Sequence, residues 1–147
     1  MDPARVAELE RRLGYHFLDV SALERALTHA SYANEHPPEA DHEPLALLGD
    51  AALALVVTDH LTAADPTASV GALTPRRAEL VAGARLARWA ADLEIGALLR
   101  LGRGEDQSGG RARESILATA LEALLGAIYR EAGLGAVRAV VGRLAAW

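Results

Sequence analysis

The segment from Pro44 to Ala63 restricts the fold most, because it is almost wholly apolar yet carries Gly49 and Asp50 at its middle. A helix that is apolar on nearly every side is typical of a buried position at the centre of a domain. A carboxylate there is costly unless it has a partner or a function. The sequence therefore predicts a buried central helix whose Asp50 is either part of a site or an acid satisfied by internal partners.

Polar residues at helical spacing mark the faces on which a site would form. Glu43, position 46 and Asp50 are three and four residues apart, so they share one face of the central helix. On a later predicted helix, Thr119 and Glu122 are three residues apart and also share a face. If the two helices pack together, their acids converge.

Four blocks of sequence resemble the ribonuclease III family, in its order and at its spacing. They are LTHASYANEHP from Leu27, HEPLALLGD from His42, LGRGEDQSGG from Leu101 and ESILATALEALLGAIY from Glu114. The resemblance covers residues 1–147 as one catalytic domain, without the double-stranded-RNA-binding domain that full-length members usually carry after it. It implies the all-α ribonuclease III endonuclease-domain fold, a homodimer and a double-stranded RNA substrate.

The resemblance also implies a metal site, and here the chain departs from the family. The family places four acids on the two signature helices, and this chain has Ala46 and Thr119 at two of those positions. The resemblance leaves Asp50 and Glu122 as catalytic residues, and Glu43, Asp50 and Glu122 as ligands of a weakly bound Mg²⁺ or Mn²⁺. Glu43 has an alternative role, stabilising the helix N-terminus next to Pro44.

Two further departures concern the cleft border and the dimer. Val70 stands where the family commonly has an acidic residue beside the cutting cleft, and Leu47 replaces the phenylalanine that inserts into the partner subunit. A dimer with a smaller central apolar contact is therefore expected.

Three functions remain open at the level of sequence. The first is an endoribonuclease with a reduced metal site, weakly active at most. The second is a pseudoenzyme that binds helical RNA, whose A-form shape is read through phosphates and 2′-hydroxyls. The third is an inactive structural or ribonucleoprotein subunit that pairs with an active homologue. The missing carboxylates favour the second and third functions.

Charge gives a mixed indication about RNA. The net charge is −5, which opposes phosphate binding, but all fifteen basic residues are arginine. Arg103, Arg111 and Arg113 lie in or beside the glycine-rich segment and are predicted to contact RNA phosphates. The alternative for each arginine is that it only reflects a biased composition.

Composition also limits the compartment and the chemistry. The chain has no cysteine, which excludes disulfides, thiolate zinc sites and cysteine nucleophiles. Met1 is not followed by a basic and apolar signal region, and the apolar runs are judged too short for a bilayer. A cytoplasmic protein with no membrane partner is expected.

The remaining pattern predicts helices and connectors without strands. Asp2 and Pro3 begin a helix that ends at Gly14, and Ser21 opens a second helix that runs toward His29, a capping or core histidine. Further expected segments are a loop over 33–43, a long helix from Gly71 to about Leu93, a connector reaching Gly110, and helices near 112–131 and 135–146.

Overall fold

Helix is the only extended regular structure in the computed structural model, which describes residues 1–147. The prediction of an all-α fold is therefore confirmed. The nine α-helices are α1 Pro3–Leu13, α2 Val20–Ala26, α3 Ala30–Glu35, α4 Glu43–Ala64, α5 Val70–Leu80, α6 Gly83–Asp92, α7 Arg103–Gln107, α8 Glu114–Ala132 and α9 Leu134–Ala145. Short 3-10 turns cover Ile95–Leu98 and Gly110–Ala112.

The core forms around α4 and α8, which pack against each other at the centre. Helices α2, α6 and α9 pack on α8, and α9 also contacts α4. These contacts bury one continuous cluster of apolar side chains. Its most enclosed members include Leu53, Val56, Leu121, Leu124, Leu125 and Ile128.

Helix α4 differs from expectation in one respect, since it is long and apolar enough to cross a membrane by length and composition. The core helix of a soluble domain passes the same test, and α4 packs on α5, α8 and α9. Its apolar composition is accounted for by those contacts, together with an exposed stripe described below.

The helix boundaries follow local capping chemistry. The Asp2 carboxylate accepts a hydrogen bond from the Ala4 amide at 2.9 Å, and α1 ends at Gly14 in the left-handed region at φ 68°, as predicted. Helix α2 begins earlier than predicted, because Asp19 caps it by accepting from the Ser21 and Ala22 amides.

Two other boundaries differ from the sequence prediction. The expected long helix after Gly71 is two helices, α5 and α6, separated at Val81 and Ala82. The break lets α6 turn its apolar face, including Leu86 and Trp89, onto α8, whereas α5 contacts α4 and buries no residue. Helix α3 occupies part of the predicted loop, with the His29 side chain at its N-terminus.

A short backbone pairing joins α3 to the glycine-rich segment. Arg100 donates its amide to the Leu27 carbonyl at 2.8 Å, and His29 donates its amide to the Arg100 carbonyl at 3.0 Å. The Arg100 guanidinium lies 4.4 Å from the Tyr32 ring centroid and also bonds to Glu39 at 2.8 Å. Residues 28–35 are therefore held beside the start of α7.

Candidate functional site

The candidate site lies where α4 and α8 cross with their backbones in direct contact. A Cβ atom on Gly49 would lie 1.7 Å from the Glu122 carbonyl oxygen, and one on Gly126 would lie 2.0 Å from the Leu45 carbonyl oxygen. Only glycine fits at these two positions, since either added atom would overlap backbone. This close approach brings Asp50, which follows Gly49, next to Glu122.

Asp50 and Glu122 form a carboxyl pair. Asp50 is exposed and Glu122 is partly buried. Burial, followed by a hydrogen bond to Asp50 and the charge of that carboxylate, raises the pKa of Glu122 from 4.5 to about 7. Near neutral pH the Glu122 carboxyl is therefore partly protonated beside Asp50.

The two positions beside this pair supply no carboxylate. Ala46, one turn before Asp50 on α4, is buried with 8% of its surface exposed. Thr119, almost one turn before Glu122 on α8, donates its hydroxyl to the Ser115 carbonyl at 2.8 Å. The Ala46 methyl group and the Thr119 hydroxyl, which is hydrogen-bonded to the backbone, therefore occupy the places where the sequence resemblance implies two more acids.

Glu43 does not join the pair in a three-carboxylate cluster, because no group of three potential metal ligands occurs in this structure. It is exposed in the first turn of α4, where its amide donates to the Asp41 carboxylate at 2.9 Å. An acid at this position stabilises the N-terminus of the helix. The predicted convergence of Glu43 with Asp50 and Glu122 is thus not what the fold produces.

The carboxyl pair of Asp50 and Glu122 determines which metal ion this site could bind. Mg²⁺ prefers oxygen ligands in octahedral geometry and keeps several waters when the protein offers few carboxylates. Asp50 and Glu122 supply oxygen ligands of the right kind, with Asp50 open to solvent. The donor set fits a single, weakly held ion for which Glu122 must first lose its proton.

Two of the three predicted RNA-binding arginines are held by internal contacts. Arg111 donates to the carbonyls of Gly96 at 3.0 Å and Leu99 at 2.7 Å, and it also pairs with Asp106. These bonds hold the segment before α8, so Arg111 has a structural role there, and its predicted RNA contact stays a prediction.

Arg113 is also engaged, because it pairs with the Glu105 carboxylate and donates to the Ser108 carbonyl at 3.1 Å. Arg103 differs from both. Its side chain is exposed and forms no ion pair or hydrogen bond, while its backbone amide donates to the Glu35 carboxylate at 3.1 Å. Of the three predicted residues, Arg103 alone is free to meet a phosphate.

Two histidines near the start of α4 were underrated or missed in the sequence. His42 is almost completely buried, with Nδ1 3.2 Å from the Ala26 carbonyl, and its ring meets the His29 ring edge-on with centroids 5.8 Å apart. Burial lowers the pKa of both histidines. No feature of the sequence indicated that His42 is buried, because a histidine directly before Glu43 carries no recognisable pattern.

Leu47 lies on an exposed apolar stripe of α4. It is 75% exposed, and Leu55 two turns later is 54% exposed. Val70, at the start of the separate helix α5, is 79% exposed and is not part of this stripe. Large apolar side chains grouped on one face are typical of an interaction surface. Leu47 is therefore accessible to a partner, and its role in an interface stays a prediction.

Known proteins similar to this chain share both its sequence and its fold. The ribonuclease-III-like family profile matches residues 19–146. The ribonuclease 3 of Heliobacterium modesticaldum is 48% identical over 138 residues, covering 92% of this chain and 59% of that protein. The ribonuclease 3 of Streptomyces coelicolor is 48% identical over 136 residues, covering 92% of this chain and 49% of that protein.

A solved structure agrees with the sequence comparison. The nuclease domain of ribonuclease III from Campylobacter jejuni superposes with a TM-score of 0.88 at 37% identity, covering 95% of this chain and 94% of that domain. The chain therefore belongs to the ribonuclease-III-like family and has the fold of its nuclease domain. It spans about half to three-fifths of the length of the two curated relatives above.

Proposed function

We propose that this chain binds double-stranded RNA in RNA processing and that its depleted carboxylate site cleaves RNA weakly or not at all. One observation carries the proposal. The crossing of α4 and α8 keeps Asp50 and Glu122 together, while Ala46 and the bonded Thr119 hydroxyl stand at the other two positions.

The chemistry explains why this loss matters. A divalent ion bound by carboxylates supplies an activated water and neutralises charge on the leaving oxygen in phosphodiester hydrolysis. Asp50 and Glu122 would hold one Mg²⁺ or Mn²⁺ ion weakly, and the chain has no further carboxylate at the crossing for a second ion. The proton held by Glu122 near neutral pH also competes with ion binding.

Binding of RNA depends on the local charge distribution, since the net charge of −5 opposes it. Arg103, the first residue of α7, is exposed, and its side chain has no partner. An arginine in this state can donate to phosphate oxygens without first breaking an internal ion pair. The proposal is therefore that RNA contacts Arg103 and extends from it to the carboxyl pair.

The exposed stripe with Leu47 and Leu55 supports association with a second copy of the chain. Burying these side chains would stabilise a dimer at roughly 25 cal/mol per Å² of apolar surface. The Campylobacter jejuni structure was described as showing flexibility in a region involved in dimer formation, which concerns that protein. For this chain a homodimer is proposed.

The same stripe supports a second candidate, in which the chain is an inactive structural or ribonucleoprotein subunit that pairs with an active homologue. In that assembly Leu47 would contact the homologue, and the homologue would supply the complete carboxylate set. The two candidates differ in an accessible measurement. A heterodimer subunit alone would bind RNA poorly, whereas the proposed binding domain would bind RNA without another protein.

The test is to titrate the purified protein into a perfect RNA duplex and to measure binding and cleavage separately. We expect duplex binding, with a preference over single-stranded RNA, and little cleavage in Mg²⁺ or Mn²⁺. Calorimetry should detect at most one weak Mn²⁺ site, and Asp50→Asn should abolish it. Unchanged Mn²⁺ binding in this variant would show that the carboxyl pair is not the site, and absent duplex binding would exclude the proposed function.

A further inference from the structure

We propose that His29 contacts RNA, with its Nε2 group donating a hydrogen bond to an acceptor oxygen of the RNA backbone. The assignment rests on the proposed function, because it needs RNA on the surface that carries Arg103. It goes beyond the capping or core role expected of this histidine from the sequence.

The hydrogen bonds of His29 determine which ring nitrogen carries the proton. Nδ1 accepts from the Ser31 amide at 3.1 Å and lies 2.8 Å from the Ser31 hydroxyl. That hydroxyl oxygen accepts from the Gly102 amide at 2.8 Å, so its own hydrogen is free to point at Nδ1. Nδ1 is therefore the acceptor, and in the neutral ring the hydrogen sits on Nε2.

Nε2 is the nitrogen that the fold leaves without a partner. Nε2 forms no hydrogen bond and is not fully buried, so it is accessible to solvent. Burial lowers the pKa of His29, which keeps the ring neutral at neutral pH. Capping α3 uses only Nδ1, so the cap leaves the accessible N–H donor unexplained.

Charged residues and a second histidine surround the His29 ring. Glu43, Asp41 and Arg113 are all close enough to affect the charge state of His29, and His42 closes its inner side. The ring therefore lies within electrostatic range of charged residues at the starts of α4 and α8. Neither Asp41 nor Glu43 joins it in a three-ligand metal cluster.

A rigid connection joins His29 to the segment that carries Arg103. Gly102 fits so closely that a Cβ atom there would lie 2.7 Å from the Ser31 carbonyl oxygen. The Glu35 carboxylate then accepts from the Arg103 amide. A neutral N–H donor at the N-cap of α3 and a free guanidinium at the start of α7 are thus held by elements that contact each other.

The chemistry of the donor selects the ligand. A neutral imidazole N–H donates to an oxygen acceptor without requiring a charged partner, and phosphates and 2′-hydroxyls are the groups that A-form RNA presents. The shared feature is an acceptor oxygen on the RNA backbone. Duplexes with 2′-deoxy substitutions in place of ribose would then show whether the acceptor is the hydroxyl or the phosphate.

The experiment compares His29→Asn with His29→Ala in the full chain. Asparagine can accept the Ser31 amide at the N-cap, so it keeps the cap and removes the Nε2 donor. We expect His29→Asn to retain the melting temperature and to weaken duplex RNA binding about fivefold, as for one lost hydrogen bond. His29→Ala should lose both stability and affinity.

A direct readout on the unaltered protein keeps the test independent of variant folding. In ¹⁵N imidazole NMR spectra, RNA should shift the His29 Nε2 signal and leave that of the buried His42 unchanged. Parental affinity in His29→Asn, or an unmoved His29 signal at saturating RNA, would overturn the assignment alone. Failure of the parent protein to bind the duplex would instead overturn the proposed function, and this assignment with it.

Discussion

At the scale of single residues, the raised pKa of Glu122 predicts how the stability of the fold depends on pH. Its pKa of about 7 in the folded chain exceeds the ordinary value of 4.5, so the folded state binds more protons between these pH values. Protonation of Glu122 therefore stabilises the folded state. This stabilisation is fully present below about pH 4.5 and is lost as the pH rises through 7. Glu122→Gln cannot ionise, so it should raise the melting temperature relative to the parent more at pH 8 than at pH 5.

The matched control for this prediction is Glu114→Gln, on the exposed first turn of the same helix. Its effect on the melting temperature should be the same at both pH values. A Glu122→Gln difference that does not grow with pH would show that Glu122 is not protonated in the folded chain.

Sequence spacing predicted that Asp50 and Glu122 lie on helix faces, but it did not predict the internal partners of two arginines, and the reason is physical. Asp50 and Glu122 lie on regular helices, so their faces follow from a fixed periodicity. Arg111 and Arg113 lie in a connector, where the partners of a guanidinium depend on backbone carbonyls that have no sequence signature. Burial of His42 was hidden for the same reason, since it depends on how α2 and α4 meet.

At the scale of elements, the crossing of α4 and α8 depends on two glycines. In Gly49→Ala the new Cβ atom would meet the Glu122 carbonyl oxygen, so the helices must separate. Overpacking of this kind, with backbone as the obstacle, should cost about 3 kcal/mol in the free energy of unfolding. Urea denaturation followed by circular dichroism measures it.

Gly135→Ala is the control, because nothing lies within 4 Å of a Cβ atom at that position in α9. Alanine there should leave stability unchanged or raise it by about 0.5 to 1 kcal/mol through helix propensity. Equal effects of the two substitutions would mean that the close crossing does not determine the packing of α4 on α8.

Element boundaries show where local pattern stops being sufficient. The caps of α1 were predictable because Asp2, Pro3 and Gly14 act within a few residues of one another. The break between α5 and α6 was not, because it is determined by the need of α6 to bury Leu86 and Trp89 on α8. Tertiary packing here overrides a sequence that could continue as helix.

At the scale of the whole molecule, the exposed Leu47 predicts how association responds to side-chain size. Leu47→Phe should tighten self-association about fivefold, because the ring buries more apolar area at roughly 25 cal/mol per Å². Sedimentation equilibrium on both proteins measures the change. Leu18→Phe is the control, since Leu18 is 77% exposed but lies between α1 and α2 rather than on the α4 stripe. A parent that stays monomeric at high concentration would contradict the dimer proposal.

The most demanding prediction concerns positions 46 and 119 at the crossing, where the carboxylates are missing. Ala46→Glu combined with Thr119→Asp should rebuild a four-carboxylate cluster with Asp50 and Glu122, and should raise cleavage of double-stranded RNA in Mg²⁺. Each single change should do less, because ligands that act as a unit are strongly non-additive. Without metal the added acids repel the existing pair, so the double variant should melt at a lower temperature and recover when Mg²⁺ is added.

The control for the double variant places two acids on the same helices away from the site, as Ala64→Glu with Ala132→Asp, both at exposed positions near the ends of α4 and α8. It carries the same added charge and should not gain cleavage or metal binding. Val70 also departs from the family pattern, so the restored activity is expected to remain below that of a ribonuclease with all its acids. If calorimetry shows a restored metal site and no cleavage follows, the surface no longer positions RNA, and the proposal of an RNA-binding domain falls with it.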